Sequence, residues 1–167
     1  MTEGKLTSPE IPWSKSVRAF MWWKGEAGTR WVVLTQGETD ESGKEGSIKG
    51  FGGRREPGED DIQSLARELG EEAGMSQQRF HTLEQQGKVQ FLGNNFQAEH
   101  SAAWYGIEIT PQDYEQIKPG DDVDHVMCLQ VDHSNLDNIR VLFTHGGWKE
   151  YWQQHLRGAL EAVMWRL

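Results

Sequence analysis

The chain has 167 residues, 36% of them hydrophobic and 10% aromatic, enough to bury one substantial core and too much for disorder as a whole-chain state. Its formal charge of −9 speaks against a general binder of duplex DNA or RNA, because phosphate backbones reward clustered Lys and Arg. A single cysteine, Cys128, excludes an internal disulfide framework and any cysteine-based zinc site.

The first residues, Met1 to Pro12, are polar, lack the apolar stretch of a signal peptide and read as a flexible N-terminal segment. No run approaches the roughly 18 consecutive apolar residues of a membrane span. The expectation is therefore one domain over 1–167, soluble and cytoplasmic, with no membrane partner. Ser16 to Lys24 is rich in β-formers, and Arg30 to Gln36 predicts a second strand. The short link Gly25 to Thr29 makes the two a hairpin. Alternation sends Trp22 and Trp23 to opposite faces of the first strand. With Phe20 they read as core, one indole being open to stacking on a base. Gly37 to Gly50 is polar, carries four glycines and predicts a surface loop, either a lid or an ordinary solvated one.

Asp60 to Ala73 predicts a helix ended by Gly74. Gly87 to Gly93 and Ala102 to Ile109 read as two further strands, and His125 to Val131 as a fifth, with Cys128 packed in its apolar run. A last helix is expected from Trp148 to Trp165, with Trp152, Leu156, Ala159, Leu160 and Val163 at helical spacing. The order implies an α+β class, a mixed sheet with helices on its faces.

The helix from Asp60 to Ala73 carries the chemistry. At about 100° per residue, Ile62, Leu65, Ala66, Leu69 and Ala73 form one core-facing stripe. Glu68, Glu71 and Glu72 lie together on an arc of about 100° beside it. This is a poor way to build a helix. Glu68–Glu72 and Glu68–Glu71 are like-charge neighbours, and the last two acids face the negative end of the helix dipole. Gly70 costs roughly 1 kcal/mol more against Ala. Arg67 can pair with Glu71, but it offsets only part of the repulsion. Rules broken together without a structural gain point to a function, and oxygen-only ligands favour a hard divalent cation. Just upstream, Phe51-Gly52-Gly53-Arg54-Arg55-Glu56-Pro57-Gly58-Glu59-Asp60 reads as a tight loop feeding the helix N-terminus. Its N–H groups, Arg54 and Arg55 can hold phosphate oxygens.

The spacing of these residues resembles a known family. Gly53, five residues, Glu59, seven residues, Arg67-Glu68-Leu69, one residue, Glu71-Glu72, one residue, then Gly74 and apolar Met75 match the whole Nudix box. Coincidence is on the order of one in 10⁸ per start position, from background residue usage. The resemblance implies the Nudix fold, an α/β/α sandwich around a mixed sheet. It also implies hydrolysis of a nucleoside diphosphate linked to another group, with Mg²⁺ as cofactor and Mn²⁺ as substitute. By the same resemblance Glu68 and Glu72 look like the principal metal ligands, with Glu71 in the cluster and Glu59 a supporting acid. Arg67 orients the glutamates, and Arg54 stands where the family often has a phosphate-contacting basic residue, with Gly53 and Arg55 beside it.

A carboxylate has to accept the proton of the attacking water. It is one of the box glutamates or an acid of a later loop, with Asp124 in Asp121-Asp122-Val123-Asp124 the leading outside candidate. That stretch also reads as an exposed turn after Pro119-Gly120. Glu99, Glu108, His133 and His145 are weaker choices. The partner is a small nucleotide-type diphosphate, and a homodimer stays open. Two other readings remain: a catalytically silent nucleotide-binding regulator on the same fold, and an isopentenyl diphosphate isomerase. The isomerase needs a catalytic cysteine, whereas Cys128 falls in a buried strand.

Overall fold

Val17, Ala19, Phe20, Met21 and Trp22 are all buried, which leaves their strand no polar face and requires cover on both sides. That strand, β1 (Ser14–Lys24), accordingly lies at the centre of a mixed sheet in the computed structural model, which describes residues 14–37, 48–97, 100–120 and 123–131. On one edge β1 runs parallel to β6 (His100–Glu108). Its other edge is shared between two antiparallel partners. β2 (Arg30–Gly37) takes the C-terminal half, and β4 (Phe51–Arg54) takes the N-terminal half. The sheet is completed by β5 (Val89–Gln97) beside β6, and by β3 (Ile48–Lys49) and β7 (Val123–Val131) beside β2.

Two helices cover one face. α1 (Asp61–Ala73) brings Leu65, Leu69 and Ala73, and α2 (Gln77–Gln85) brings Phe80 and Leu83. They pack on Val17, Ala19, Met21, Val33, Phe51, Ala103, Tyr105 and Ile107. The other face carries Phe20, Trp22 and Trp104, all buried, with Phe20 and Trp104 6.4 Å apart between ring centroids. Trp22 and Trp23 do part to opposite faces. Arg30 lies over the Trp22 ring at 5.5 Å, while Trp23 stacks on Trp31 at 6.1 Å and meets Tyr114 at 5.3 Å. Tyr114 belongs to α3 (Pro111–Glu115), a short helix set by a Thr110 capping box.

Several expectations need correction. Phe51 to Arg54 is a strand, not loop, and Ile48–Lys49 is another inside the expected surface loop. α2 and α3 had no sequence reading at all. In α2 only Phe80 and Leu83 are buried, too few apolar positions to show a period. The hairpin link contains a 3₁₀ turn, Glu26–Gly28, and the strands read at 87–93 and 102–109 are β5 and β6 at shifted bounds. The expected last helix, His133, His145, Glu99 and the loop interior 38–47 lie outside the described residues. Among the described residues no helix is long and apolar enough to cross a membrane.

Gly70 tests the energetics of α1. A Cβ there would stand 3.5 Å from the Met75 carbonyl oxygen, an ordinary contact. Packing does not demand glycine, so Gly70→Ala should stabilise the fold by about 0.5–1 kcal/mol. A urea midpoint at or below wild type would contradict this.

Candidate active site

α1 begins on a capping box. Asp60 accepts from the Gln63 N–H at 2.8 Å, and the Gln63 side chain accepts from the Asp60 N–H at 2.9 Å. It ends on Gly74, whose left-handed backbone (φ 71°) aims its N–H at the Gly70 carbonyl. The Ala73 carbonyl is taken by the Lys118 N–H at 2.9 Å, and the Glu72 carbonyl by the Gly120 N–H at 3.1 Å. These contacts satisfy the helix end at which Glu71 and Glu72 are electrostatically misplaced. Gly120 is required there, because a Cβ would overlap the Glu71 carbonyl oxygen.

Arg67 joins the acids. Its Nε donates to Glu59 Oε2 at 2.8 Å, and Nη2 donates to Glu59 Oε1 at 3.0 Å and to the Arg54 carbonyl at 3.1 Å. Nη1 donates to Glu68 Oε1 at 3.0 Å and to Glu71 Oε1 at 3.3 Å. Glu59 also accepts from the Ser64 hydroxyl and the Glu56 N–H. Arg67 first, then Ser64 and Glu56, hold the Glu59 carboxyl down at about 2. Glu59, grouped by sequence with the metal-holding acids, thus has both oxygens engaged in fixing Arg67.

The three remaining acids differ in setting. The Glu68 side chain is 11% exposed and that of Glu71 59%. Burial raises the Glu68 pKa, and the Arg67 guanidinium offsets only part of this. Glu72 Oε1 accepts from the Gly52 N–H at 2.8 Å. A Cβ on Gly53 would stand 2.5 Å from Glu68 Oε1, and one on Gly52 would overlap the Val17 carbonyl. Consecutive glycines in β4 therefore let Glu68 and Glu72 lie against bare backbone.

This oxygen-only donor set, with the Gly53 space occupied by a carboxylate, fits a hard divalent cation. Among the described residues no three acid, histidine or cysteine groups converge to enclose an ion. The arc of three glutamates is real: Arg67 Nη1 bonds Glu68 and Glu71 together, and the Gly52 N–H holds Glu72.

The two loop arginines also differ. Arg55 Nε and Nη2 donate to the Glu59 carbonyl at 3.1 and 2.7 Å, and Nη1 reaches Asp61 Oδ1 at 3.3 Å. Asp61 in turn accepts from the Tyr105 hydroxyl at 2.9 Å. Arg55 thus staples the loop, while the Arg54 side chain is exposed and makes no hydrogen bond among the described residues. Asp121 and Asp122 lie outside the described residues; Asp124 falls within β7, at the register shift opposite Gln36 and Gly37. Glu108 pairs with Lys88 at 3.3 Å. Cys128 is half-buried against the helix-side core, and burial pushes its thiol up to about 11, which suits packing rather than catalysis. Sequence reasoning passed over Arg18, whose Nη1 donates to the Gly52 carbonyl at 2.9 Å. The signal was a charge set between apolar Val17 and Ala19.

A depressed carboxyl contributes stability that is complete above its unfolded value near 4.5 and is lost as pH falls through about 2. Glu59→Gln should therefore flatten the acid limb over that window. Urea midpoints followed by Trp fluorescence from about pH 6 to about pH 3 check this. Parallel limbs in wild type and variant would show that Glu59 is not the anchored acid.

Residues 15–140 match the NUDIX domain family. Comparison with curated proteins gives no match. Among solved structures, an Ap4A hydrolase of C. elegans superposes with a TM-score of 0.58 at 14% identity, covering 90% of this chain and 97% of that one. The MutT protein of Methanosarcina mazei Go1 gives 0.58 at 19% identity, covering 92% and 98%. A MutT/nudix family protein of Enterococcus faecalis gives 0.54 at 22% identity over 78% of this chain, which spans 48% of that longer one. At these identities the likeness is one of fold, and it agrees with the loop–helix geometry above. The chain belongs to the NUDIX domain family.

Proposed function

We propose that this protein hydrolyses the diphosphate linkage of a nucleoside diphosphate joined to another group, by attack of water on phosphorus, with Mg²⁺ or Mn²⁺ as cofactor. The observation that carries the reading is the pair Glu68 and Glu72, set against the Gly52–Gly53 backbone at the end of a fully capped helix. A neighbour named as an Ap4A hydrolase, and another named as a bifunctional NMN adenylyltransferase/ADP ribose pyrophosphatase of Francisella tularensis, support the substrate class. The latter superposes with a TM-score of 0.53 at 16% identity, covering 79% of this chain and 38% of that one. They do not choose its member.

Glu68 and Glu72 would hold the cation, with Glu71 completing the acidic face. A divalent cation there supplies charge neutralisation at the diphosphate oxygens and a more acidic water. Arg67 keeps the carboxylates in place, and Arg54, exposed at the rim, binds phosphate oxygens by charge-assisted bonds. Glu71, or an acid of the stretch from Asp121 to Asp124, accepts the proton of the attacking water. Gly120, docked on the Glu71 and Glu72 backbone just before that stretch, supports the second choice.

Formation of the two phosphorylated products from a nucleotide panel, followed by chromatography, should require Mg²⁺ or Mn²⁺ and stop after exhaustive chelation with EDTA. Glu68→Gln and Glu72→Gln should each lower kcat by about a hundredfold or more. Both should stay folded, since Gln relieves like-charge repulsion and Gln at 72 still accepts from Gly52. Turnover with EDTA, or near wild-type kcat in either variant, would end the metal reading. Binding across the panel without turnover would leave the silent regulator in its place.

Arg54→Ala should raise KM and leave Mn²⁺ affinity measured without substrate unchanged, because a cation cannot ligate a metal but can bond phosphate. The opposite pattern would remove Arg54 from the phosphate site.

A further inference from the structure

Arg18 is a charged residue in a strand whose neighbours Val17, Ala19, Phe20 and Met21 are fully buried. It stands opposite Gly52 in the β1–β4 register, and its Nη1 donates to the Gly52 carbonyl at 2.9 Å. The Gly52 N–H donates to Glu72 Oε1 at 2.8 Å. Both backbone polar groups of Gly52 are thus taken by side chains, one from the sheet and one from the acidic helix. Gly52 itself has φ 137° and room for no Cβ, and a Cβ on Gly53 would displace the Glu68 carboxylate. Paired glycines are the most pliable backbone a chain can offer, so the strip on which Glu68 and Glu72 rest needs an external hold.

We infer that Arg18 is a positioning residue: by clamping the Gly52 carbonyl it fixes the Gly52–Gly53 strip, and so the spacing of the Glu68 and Glu72 carboxylates, before a cation binds. The inference rests on the reading that these two acids hold the cation. The Arg18 charge also acts favourably on Glu68 at longer range. Charge alone and clamping make opposite predictions, however. Removing a cation next to a metal site tightens metal binding by Coulomb's law, whereas loosening the ligands weakens it.

The test is Mn²⁺ titration of the metal-free protein without nucleotide, followed by the electron paramagnetic resonance of free Mn²⁺. Arg18→Met keeps the aliphatic bulk and removes donor and charge. It should bind Mn²⁺ about tenfold more weakly or worse. Its unfolding temperature in EDTA should match wild type, which a merely structural role would not allow. Arg18→Gln, which keeps a donor for Gly52 but no charge, should recover most of the affinity. Mn²⁺ binding by Arg18→Met that equals or exceeds wild type overturns the clamp. If Arg18→Met does not fold, Arg18→Lys and Arg18→Gln decide. Affinities within about threefold of each other support donation to Gly52, and markedly tighter binding by Gln shows a charge effect alone and overturns it. Glu72→Gln in the same titration separates the two levels. If it binds Mn²⁺ as wild type does, the metal reading fails and the clamp with it. If it loses binding while Arg18→Met keeps it, only the clamp fails.

Discussion

The site is organised by one guanidinium. Each of the five N–H donors of Arg67 has an acceptor: two oxygens of Glu59, one each of Glu68 and Glu71, and the carbonyl of Arg54. Acids that would otherwise repel one another are held in place by a single planar group. A lysine, with three donors radiating from one atom, could not span the same set. The consequences differ by partner. Glu59, bonded twice by Arg67 and again by Ser64 and Glu56, is fixed as an anion. Glu68, touched once and largely buried, keeps a raised proton affinity. Arg67 thus anchors one carboxylate fully, while burial raises the pKa of the other and Arg67 offsets only part of the rise.

The glycines matter for the same reason. Arg67 can reach the Arg54 carbonyl and Glu68 together only if β4 lies close under the helix. The approach of β4 to β1 leaves no volume for a Cβ at 52, and a Cβ at 53 would meet the Glu68 carboxylate from the helix. Gly120 does the equivalent at the C-terminal end of α1, bringing the following chain against the Glu71 and Glu72 backbone. The acids therefore sit between two backbone approaches that only glycine permits, and their geometry is set by main chain as much as by side chains.

What could be read from sequence follows the range of the forces involved. α1, its stop at Gly74, its buried stripe and the β1–β2 hairpin are local, and periodicity shows them. β4 escaped because Gly52 and Gly53 mimic a loop, and its pairing with β1 joins residues 34 positions apart. α2 escaped because a helix with two buried side chains has no visible apolar face. Within the box, spacing collects Glu59, Arg67, Glu68, Glu71 and Glu72, but it cannot divide anchors from open carboxylates. That division depends on hydrogen bonds from Ser64, Glu56 and Gly52, three residues with no distinctive pattern. Arg54 and Arg55 are adjacent and chemically identical, yet the loop turns one inward to Glu59 and Asp61 and leaves the other exposed.

This division bears on how an acidic chain would take up the diphosphate proposed as its substrate. Of the cations at the site, Arg67 has every donor engaged, Arg55 is tied to Glu59 and Asp61, and Arg18 to Gly52. Arg54 alone among these four has a side chain that makes no hydrogen bond within the described residues. Engaged donors keep their charge, so four guanidiniums stand against Glu56, Glu59, Asp61, Glu68, Glu71 and Glu72, a balance that stays negative in a chain already carrying −9. Unit charges at about 4 Å with an effective dielectric near 20 interact by roughly 4 kcal/mol, so diphosphate oxygens brought against these acids are repelled strongly. Arg18, Arg55 and Arg67 are committed to shaping the acidic face. An oxygen-lined face of this kind suits a hard divalent cation, the source of positive charge in the function proposed above.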